Sequence, residues 1–265
     1  MKLEIKALSP ITHGGFTEGL DMGNLMQFRR MPVICDGVPR SVPVISGNAV
    51  RGRVRRALAY ELFDRLNLRQ AIADEKPGVY DKLFTLLATG GTLGKDLDKA
   101  VDPEHIRQIR ACLPMFSLLG GAAYKYILSG MVNFGFAVLR CAETGGELPA
   151  MEYIAEIGQV KHVDGTLENK ELTENKPMPY TVEAVVQGAV FDAWIDTQPQ
   201  ITPLEKACLA HGLKAVKTVG GKAASGYGRV EIVCDEPLDD EAYVEWLGSC
   251  GESYVKWMWD FAKEM

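Results

Sequence analysis

Three observations predict an α+β fold, in the βαββαβ order of a ferredoxin-like domain with insertions. Runs of alternating or β-branched apolar residues at Lys2–Leu8, Met131–Leu139, Tyr180–Ile195 and Val230–Val233 read as strands. Helically spaced apolar residues mark one helix from about Asn48 to Leu68 and another over Pro203–Val216. The first helix falls between the first two strands, and the second between the last two, with no internal repeat.

Taken in order, Lys2–Leu8 is the first strand and Pro10 ends it. Ile11–Gln27 is a glycine-interrupted loop, of a length that in a compact domain points to function. Pro32-Val33-Ile34 and Val42-Pro43-Val44-Ile45 bracket a turn at Asp36-Gly37 and lead into the first helix. Gly78–Leu119 is helical in pattern, broken at Gly90-Gly91, and reads as an insertion. Glu156–Pro179 is polar and flanked by strand-like residues, which predicts an extended hairpin. Tyr180–Ile195 is a long strand region bent at Gly188. Residues 239–263 form a C-terminal helical region whose aromatics, Tyr243, Trp246, Tyr254, Trp257 and Phe261, serve core or subunit packing.

Composition narrows the function. At 265 residues, 47% hydrophobic and 24% charged, the chain matches an ordinary soluble globular protein. Its net charge of −6 argues against indiscriminate binding to polyanions. Locally the balance reverses: Arg29, Arg30, Arg40, Arg51, Arg53, Arg55 and Arg56 face only Asp36 within their own window. Acidic charge collects instead at Asp235-Glu236 and Asp239-Asp240-Glu241. The 6 cysteines are scattered without a CxxC pair and the histidines do not cluster, so no zinc site and no cofactor are expected. Reduced thiols fit a cytoplasmic protein. The longest apolar region, Ile127–Leu139, is short and carries Ser129, Asn133 and glycines, and the alternating N-terminus is not a signal peptide; no membrane association is expected.

Two segments carry the chemistry. In Val44–Leu58 an apolar strand end turns at Gly47, Ser46 or Asn48 caps a helix, and Val50, Val54, Leu58 and Leu62 form its buried stripe. Arg51 and Arg55 lie one residue round from that stripe, with Arg53 and Arg56 on a further face. Guanidinium groups beside a helix N-terminus suit phosphate binding, although a solvated basic helix face has the same pattern. The second segment is Gly220-Gly221-Lys222-Ala223-Ala224-Ser225-Gly226-Tyr227-Gly228-Arg229, which runs from a helix into a strand. It contains neither GxxxxGK[ST] nor GxGxxG, so it is not a nucleotide-binding phosphate loop. Glycines there let backbone approach a ligand, with Lys222 and Arg229 for phosphates and Tyr227 for stacking. A helix C-cap followed by a tight turn is the plainer alternative.

These residues resemble the RAMP superfamily of CRISPR-associated proteins. Ser46–Arg55 is similar to that family's P-G-S-S-L-K/R-G-x-L-R motif, and Gly220–Val230 to its glycine-rich loop, G-G-x-x-x-x-G-x-G-x-V. Leu118-Leu119-Gly120-Gly121 and Val185–Phe191 resemble two further segments, and all four stand in the family's order across most of residues 1–235. The organisation most resembles the backbone subunit of class 1 effector complexes, which polymerises along a guide RNA. The run from Thr12-His13-Gly14-Gly15 to Phe28-Arg29-Arg30 looks most like type IV. The resemblance implies one RRM-like domain over residues 1–265: a palm, fingers that include residues 78–119, and a thumb hairpin at residues 156–179. It implies as partners the crRNA, a complementary target nucleic acid, further copies of the chain and other effector subunits. The residues then expected on RNA are His13, Arg29, Arg30, Ser46, Asn48, Arg51, Arg53, Arg55, Gly220, Gly221, Lys222, Ser225, Tyr227 and Arg229.

No catalytic residue and no metal ligand is expected. In type III backbone subunits an aspartate just before a P-V-I segment cuts target RNA; here Arg30 stands where that acid would be, and a guanidinium is neither base nor metal ligand. This departure favours DNA over RNA as the target. Asp21 and Asp36 lie nearby as substitutes, and His13 invites comparison with guide-processing relatives, but no partner base accompanies it. His105, His162 and His211 read as isolated, structural or solvated groups. Two other functions remain open: a guide-processing or target-cleaving endoribonuclease on the same fold, and an RRM-like RNA-binding module outside CRISPR.

Overall fold

A computed structural model describes residues 1–14, 25–67, 77–93, 103–124, 126–161 and 178–264. Among them a seven-stranded sheet organises the molecule. Its path runs β13 (Val230–Cys234), β1 (Lys2–Ala7), β12 (Val190–Thr197), β9 (Ala137–Leu139), β4 (Val38–Ile45) and β3 (Arg30–Cys35), every neighbour antiparallel. β8 (Val132–Phe134) joins the far end of β12. Helix α1 (Gly47–Arg65) lies in the chain between β1 and β9, and helix α5 (Pro203–Ala215) between β12 and β13.

The sheet is amphipathic in the way its sequence dictates. Leu3, Ile5 and Ala7 of β1 and Phe191 and Ile195 of β12 are buried, while the alternate positions Glu4, Lys6, Asp192 and Trp194 are half-buried or exposed. The predicted stripe of α1 is buried throughout, with Val50 2%, and Val54, Leu58 and Leu62 0% exposed. α5 packs on α1 closely enough that a Cβ on Gly212 would come within 2.7 Å of Val54 Cγ1. α5 is capped by Thr202, whose side chain accepts from the Glu205 amide while Glu205 accepts from the Thr202 amide.

The β3–β4 hairpin forms at the predicted Asp36-Gly37 turn, with φ 51° and 76° at its two central residues. β9 and β8 replace the single strand expected over Met131–Leu139. Between them Gly135 lies against the Trp194 ring, where a Cβ would sit 2.3 Å from it. The long strand expected over Tyr180–Ile195 is likewise two strands in two sheets, β11 (Met178–Val185) and β12, parted at Gly188 with φ 90°.

Two smaller sheets flank this core. β10 (Ile154–Lys161) and β11 pair antiparallel from Ile154↔Val185 to Lys161↔Met178, forming the arms of the predicted hairpin, and β2 (Leu25–Met26) adds in parallel to β11. The hairpin's expected tip, residues 162–177, lies outside the described residues, as do Asp21 and His162. The predicted helical insertion holds α2 (Pro77–Phe84), α3 (Pro103–Cys112) and α4 (Pro114–Leu119). It also holds a strand that the helical pattern concealed: β5 (Gly91–Leu93) pairs in parallel with β6 (Gly121–Tyr124), which continues to β7 (Tyr126–Leu128). The C-terminal region is two helices, α6 (Glu241–Ser249) and α7 (Glu252–Glu264). Tyr243, Trp246, Tyr254, Trp257 and Phe261 form a continuous ladder of rings there, with successive centroids 5.4, 5.7, 5.9 and 5.5 Å apart.

Candidate nucleic-acid interface

The arginine helix and the glycine loop meet. Arg53 on α1 donates from its guanidinium to the Gly220 carbonyl, and burial together with neighbouring Arg56 pushes its pKa down. The strap Pro10–Gly14 lies against the same loop: the Gly221 amide donates to the Thr12 carbonyl (2.8 Å), and the Gly228 amide to the Pro10 carbonyl (2.8 Å). Gly220 permits this contact, since with φ 74° its missing Cβ would stand 2.2 Å from the Thr12 oxygen.

His13 closes the strap onto α1. Its Nε2 accepts the Ser46 amide at 3.2 Å, and Ser46 Oγ in turn accepts the Ala49 amide at 3.3 Å, making Ser46 the cap. Burial, reinforced by Arg29, holds the His13 pKa below its ordinary 6.5 and keeps the ring neutral, as an acceptor must be. His13 and Ser46, both expected on RNA, are therefore committed to building the turn. Asn48 is exposed in the first turn, and Gly47 lets that turn pass close to the Phe134–Gly135 backbone, where a Cβ would meet the Phe134 oxygen at 2.1 Å.

The arginines divide by role. Arg55 departs from the expectation: it is 5% exposed and donates to the carbonyls of Leu119 (3.1 Å) and Gly120 (2.7 Å) at the end of α4. Those carbonyls form the negative end of a helix, which is the counter-charge available to it. Burial, with Arg51 adding to it, lowers its pKa to about 10. Arg51 is half-buried, donates to the same Leu119 carbonyl, and has its pKa lowered by burial. Arg30 is also spoken for: it pairs with buried Glu183 on β11 at 2.8 Å, and that carboxylate also accepts the Phe28 amide at 2.8 Å. Among the described residues Arg29, Arg56 and Arg229 have no ion pair; Arg56 and Arg229 are exposed and Arg29 is half-buried beside His13. With Arg53 they are the cations available around the junction.

Lys222 and Tyr227, both half-buried, turn their polar ends to the hairpin. Lys222, in left-handed backbone at φ 56°, donates to Gln159 Oε1 and to the Tyr180 hydroxyl (2.6 Å), and sits 4.4 Å over the Tyr180 ring. Gln159 Nε2 donates to the Tyr227 hydroxyl at 2.9 Å, while the Tyr180 hydroxyl donates to Gln159 Oε1 at 2.9 Å. The loop is thus latched to the arms of the β10–β11 hairpin through the register pair Gln159 and Tyr180, neither of which the sequence singled out. Ser225 is exposed, its amide closing a turn onto the Lys222 carbonyl at 2.9 Å, and the Arg229 backbone is held by Ser9.

No family model and no curated protein matches the chain. Among solved structures, a chain of a type IV-B CRISPR complex superposes with a TM-score of 0.60 at 19% identity, over 91% of this chain and 96% of that chain. The two share one fold. Csc2 of Thermofilum pendens also aligns, with a TM-score of 0.43 at 16% identity, over 99% of this chain and 75% of that one.

The open sheet face carries mixed charge. Glu4, Asp192 and Glu231 lie on it by register with Lys2 and Lys6, and Arg140 is spent on Glu4 and Asp192. Both carboxylates push the Arg140 pKa up. Trp194 on that face is 48% exposed, a ring of the kind on which RRM recognition stacks bases. His211, read as isolated, is clamped instead: Nδ1 faces Asp240 at 2.7 Å, Nε2 faces Glu61, and Lys214 pairs with Asp240. That network fastens the start of α6 to α1 and α5. Among the described residues no three His, Cys, Asp or Glu side chains gather where they would share a metal ion, and no helix is long and apolar enough to cross a membrane.

Proposed function

We propose that the chain is the crRNA-binding backbone subunit of a CRISPR effector complex of the RAMP superfamily, acting in the cytoplasm without catalysing cleavage. The carrying observation is the hydrogen bond from Arg53 to the Gly220 carbonyl, which joins two segments far apart in sequence at one junction edged by Arg29, Arg56 and Arg229. A ribose-phosphate strand crossing that junction meets guanidinium groups from α1 and backbone amides from the glycine loop. Such contacts follow the backbone and leave sequence to base pairing with the target, for which DNA is preferred.

The β13-β1-β12-β9 order, with α1 and α5 as its crossover helices, supports reading the main sheet as a ferredoxin-like palm. The insertion at residues 77–119 then serves as fingers and the β10–β11 hairpin as the thumb. The ion pair between Arg30 and Glu183 supports the non-catalytic reading, because the position of the expected acid holds a cation and the nearest described carboxylate is occupied by it. The shared fold with a type IV-B complex chain agrees with assembly alongside other effector subunits and further copies of itself. The test is fluorescence anisotropy of labelled repeat-spacer RNA over a salt series, with a parallel incubation in Mg²⁺. Sequence-tolerant binding that weakens steeply with salt, and intact RNA, are expected. Salt-insensitive binding, or specific cleavage, overturns the proposal.

A further inference from the structure

Two separate surfaces of the molecule carry features that fit each other. At one edge of the main sheet, the tip of the β3–β4 hairpin presents Ile34 72% exposed and Val38 46% exposed, with Pro32 and Pro39 also exposed. Ile34 and Pro39 are register partners and share one face of the ribbon, as do Pro32 and Ser41. Pro32 lacks the N–H that edge pairing needs, so this ribbon is ill suited to adding another strand and offers its apolar face instead. The second surface is a cavity of about 670 Å³ between β12, α5, Met1 and the segment that runs from β13 into α6. Ile195, Ala210 and Leu238 supply its apolar floor, and Asp196, Asp239 and Lys206 its charged rim. A fourth charge there, Glu236, is paired with the Met1 amine at 3.5 Å.

We infer that the hairpin tip of one copy inserts into this cavity of the next. Ile34, with its register partner Pro39 on the same face, fills the apolar floor. Exposed Arg40 meets the surplus carboxylates Asp196 and Asp239, and exposed Asp36 at the turn meets Lys206. Knob and cavity are different patches of the chain, the knob on the edge hairpin β3–β4 and the cavity on β12, α5 and the segment after β13. A contact between different patches is heterologous: it leaves a free knob and a free cavity at each end and propagates as an open row. The inference rests on the guide-coating reading for the strand along which such a row extends, and it names the protein contact that reading lacks.

The test uses two full-length variants, each changing an exposed residue: Ile34→Glu at the knob and Ala242→Trp at the mouth of the cavity. Each is mixed with repeat-spacer RNA long enough for several copies, and the assemblies are sized by mass photometry. Either variant alone is expected to lose multi-copy rows, with copy–copy association at least about tenfold weaker from the lost burial of one large apolar side chain. Mixed together, they are expected to form one-to-one pairs, an intact cavity taking an intact knob. Rows of wild-type length from either variant, or a mixture that pairs no better than its components, overturn the interface. Binding to an RNA long enough for one copy is measured separately: failure of the wild-type chain there defeats the guide-coating reading and leaves the interface to be judged by sizing.

Discussion

Arg53 and Arg55 stand two residues apart on one helix, and the structure assigns them opposite work. Replacing Arg55 by Met removes its hydrogen bonds to the Leu119 and Gly120 carbonyls, each worth about 1.5–3 kcal/mol because the donor is charged. Against this, a folded-state pKa of about 10 means that the cation is buried at a penalty of roughly 3 kcal/mol, which Met gives back. The balance is a net loss of about 2 kcal/mol, or about 4–8 °C in Tm for a chain of this size. Replacing Arg53 by Met removes one half-exposed hydrogen bond, a cost of about 1 kcal/mol. It should, however, reduce the slope of log affinity against log salt by about 0.7, the signature of one lost phosphate contact on a single strand. Differential scanning fluorimetry and salt-series anisotropy on the same preparations separate the two effects. An Arg55→Met protein with native Tm and a reduced salt slope, paired with an Arg53→Met protein of native slope, refutes the assignment.

Other expectations concern the turn and the latch. Gly220→Ala places a Cβ on the Thr12 carbonyl oxygen as well as at positive φ, whereas Gly226→Ala meets nothing within 4 Å and carries only the φ cost of about 1–2 kcal/mol; thermal melts should rank the first clearly below the second, and equal Tm values contradict the docking of loop on strap. His13 is neutral in the folded chain with its pKa held below 6.5, so the unfolded chain takes up the proton first as pH falls. Its contribution is therefore present above the unfolded value of 6.5 and lost as pH falls below it towards the lowered folded value; His13→Asn should flatten that part of the stability–pH curve, and an unchanged curve contradicts the strap's role. Gln159→Ala frees Tyr227 from the hairpin and leaves Lys222 held there by Tyr180 alone, at about 1 kcal/mol per hydrogen bond lost. Amides of Gly221–Gly228 should then exchange faster, and unaltered protection means that the latch does not order the loop.

Much of this was legible along the chain because it follows local rules. Val50, Val54, Leu58 and Leu62 share a helix face by spacing alone, and Asp36-Gly37 makes a two-residue hairpin turn because both positions tolerate positive φ. What was hidden depends on partners distant in sequence. Arg55 and Arg53 look alike in the pattern; only the approach of α4 to one side of α1 makes the first a buried donor to carbonyls. Arg30 suggested a missing acid, yet its partner Glu183 lies on another strand. Gly91–Leu93 reads as part of a helical stretch and becomes a strand because Gly121–Tyr124 pairs with it. Trp194 lies against Gly135 at the gap between β8 and β9, a contact that no window around Gly135 reveals.

The central claim is that one nucleic-acid strand crosses the junction of α1 and the glycine loop. Photo-crosslinking of guide RNA carrying 4-thiouridine, with peptide mapping by mass spectrometry, addresses it directly. Crosslinks are expected in the segments holding Arg29, Arg53–Arg56 and Gly221–Arg229. Crosslinks confined to the open sheet face, at Trp194 and Val233, would contradict it.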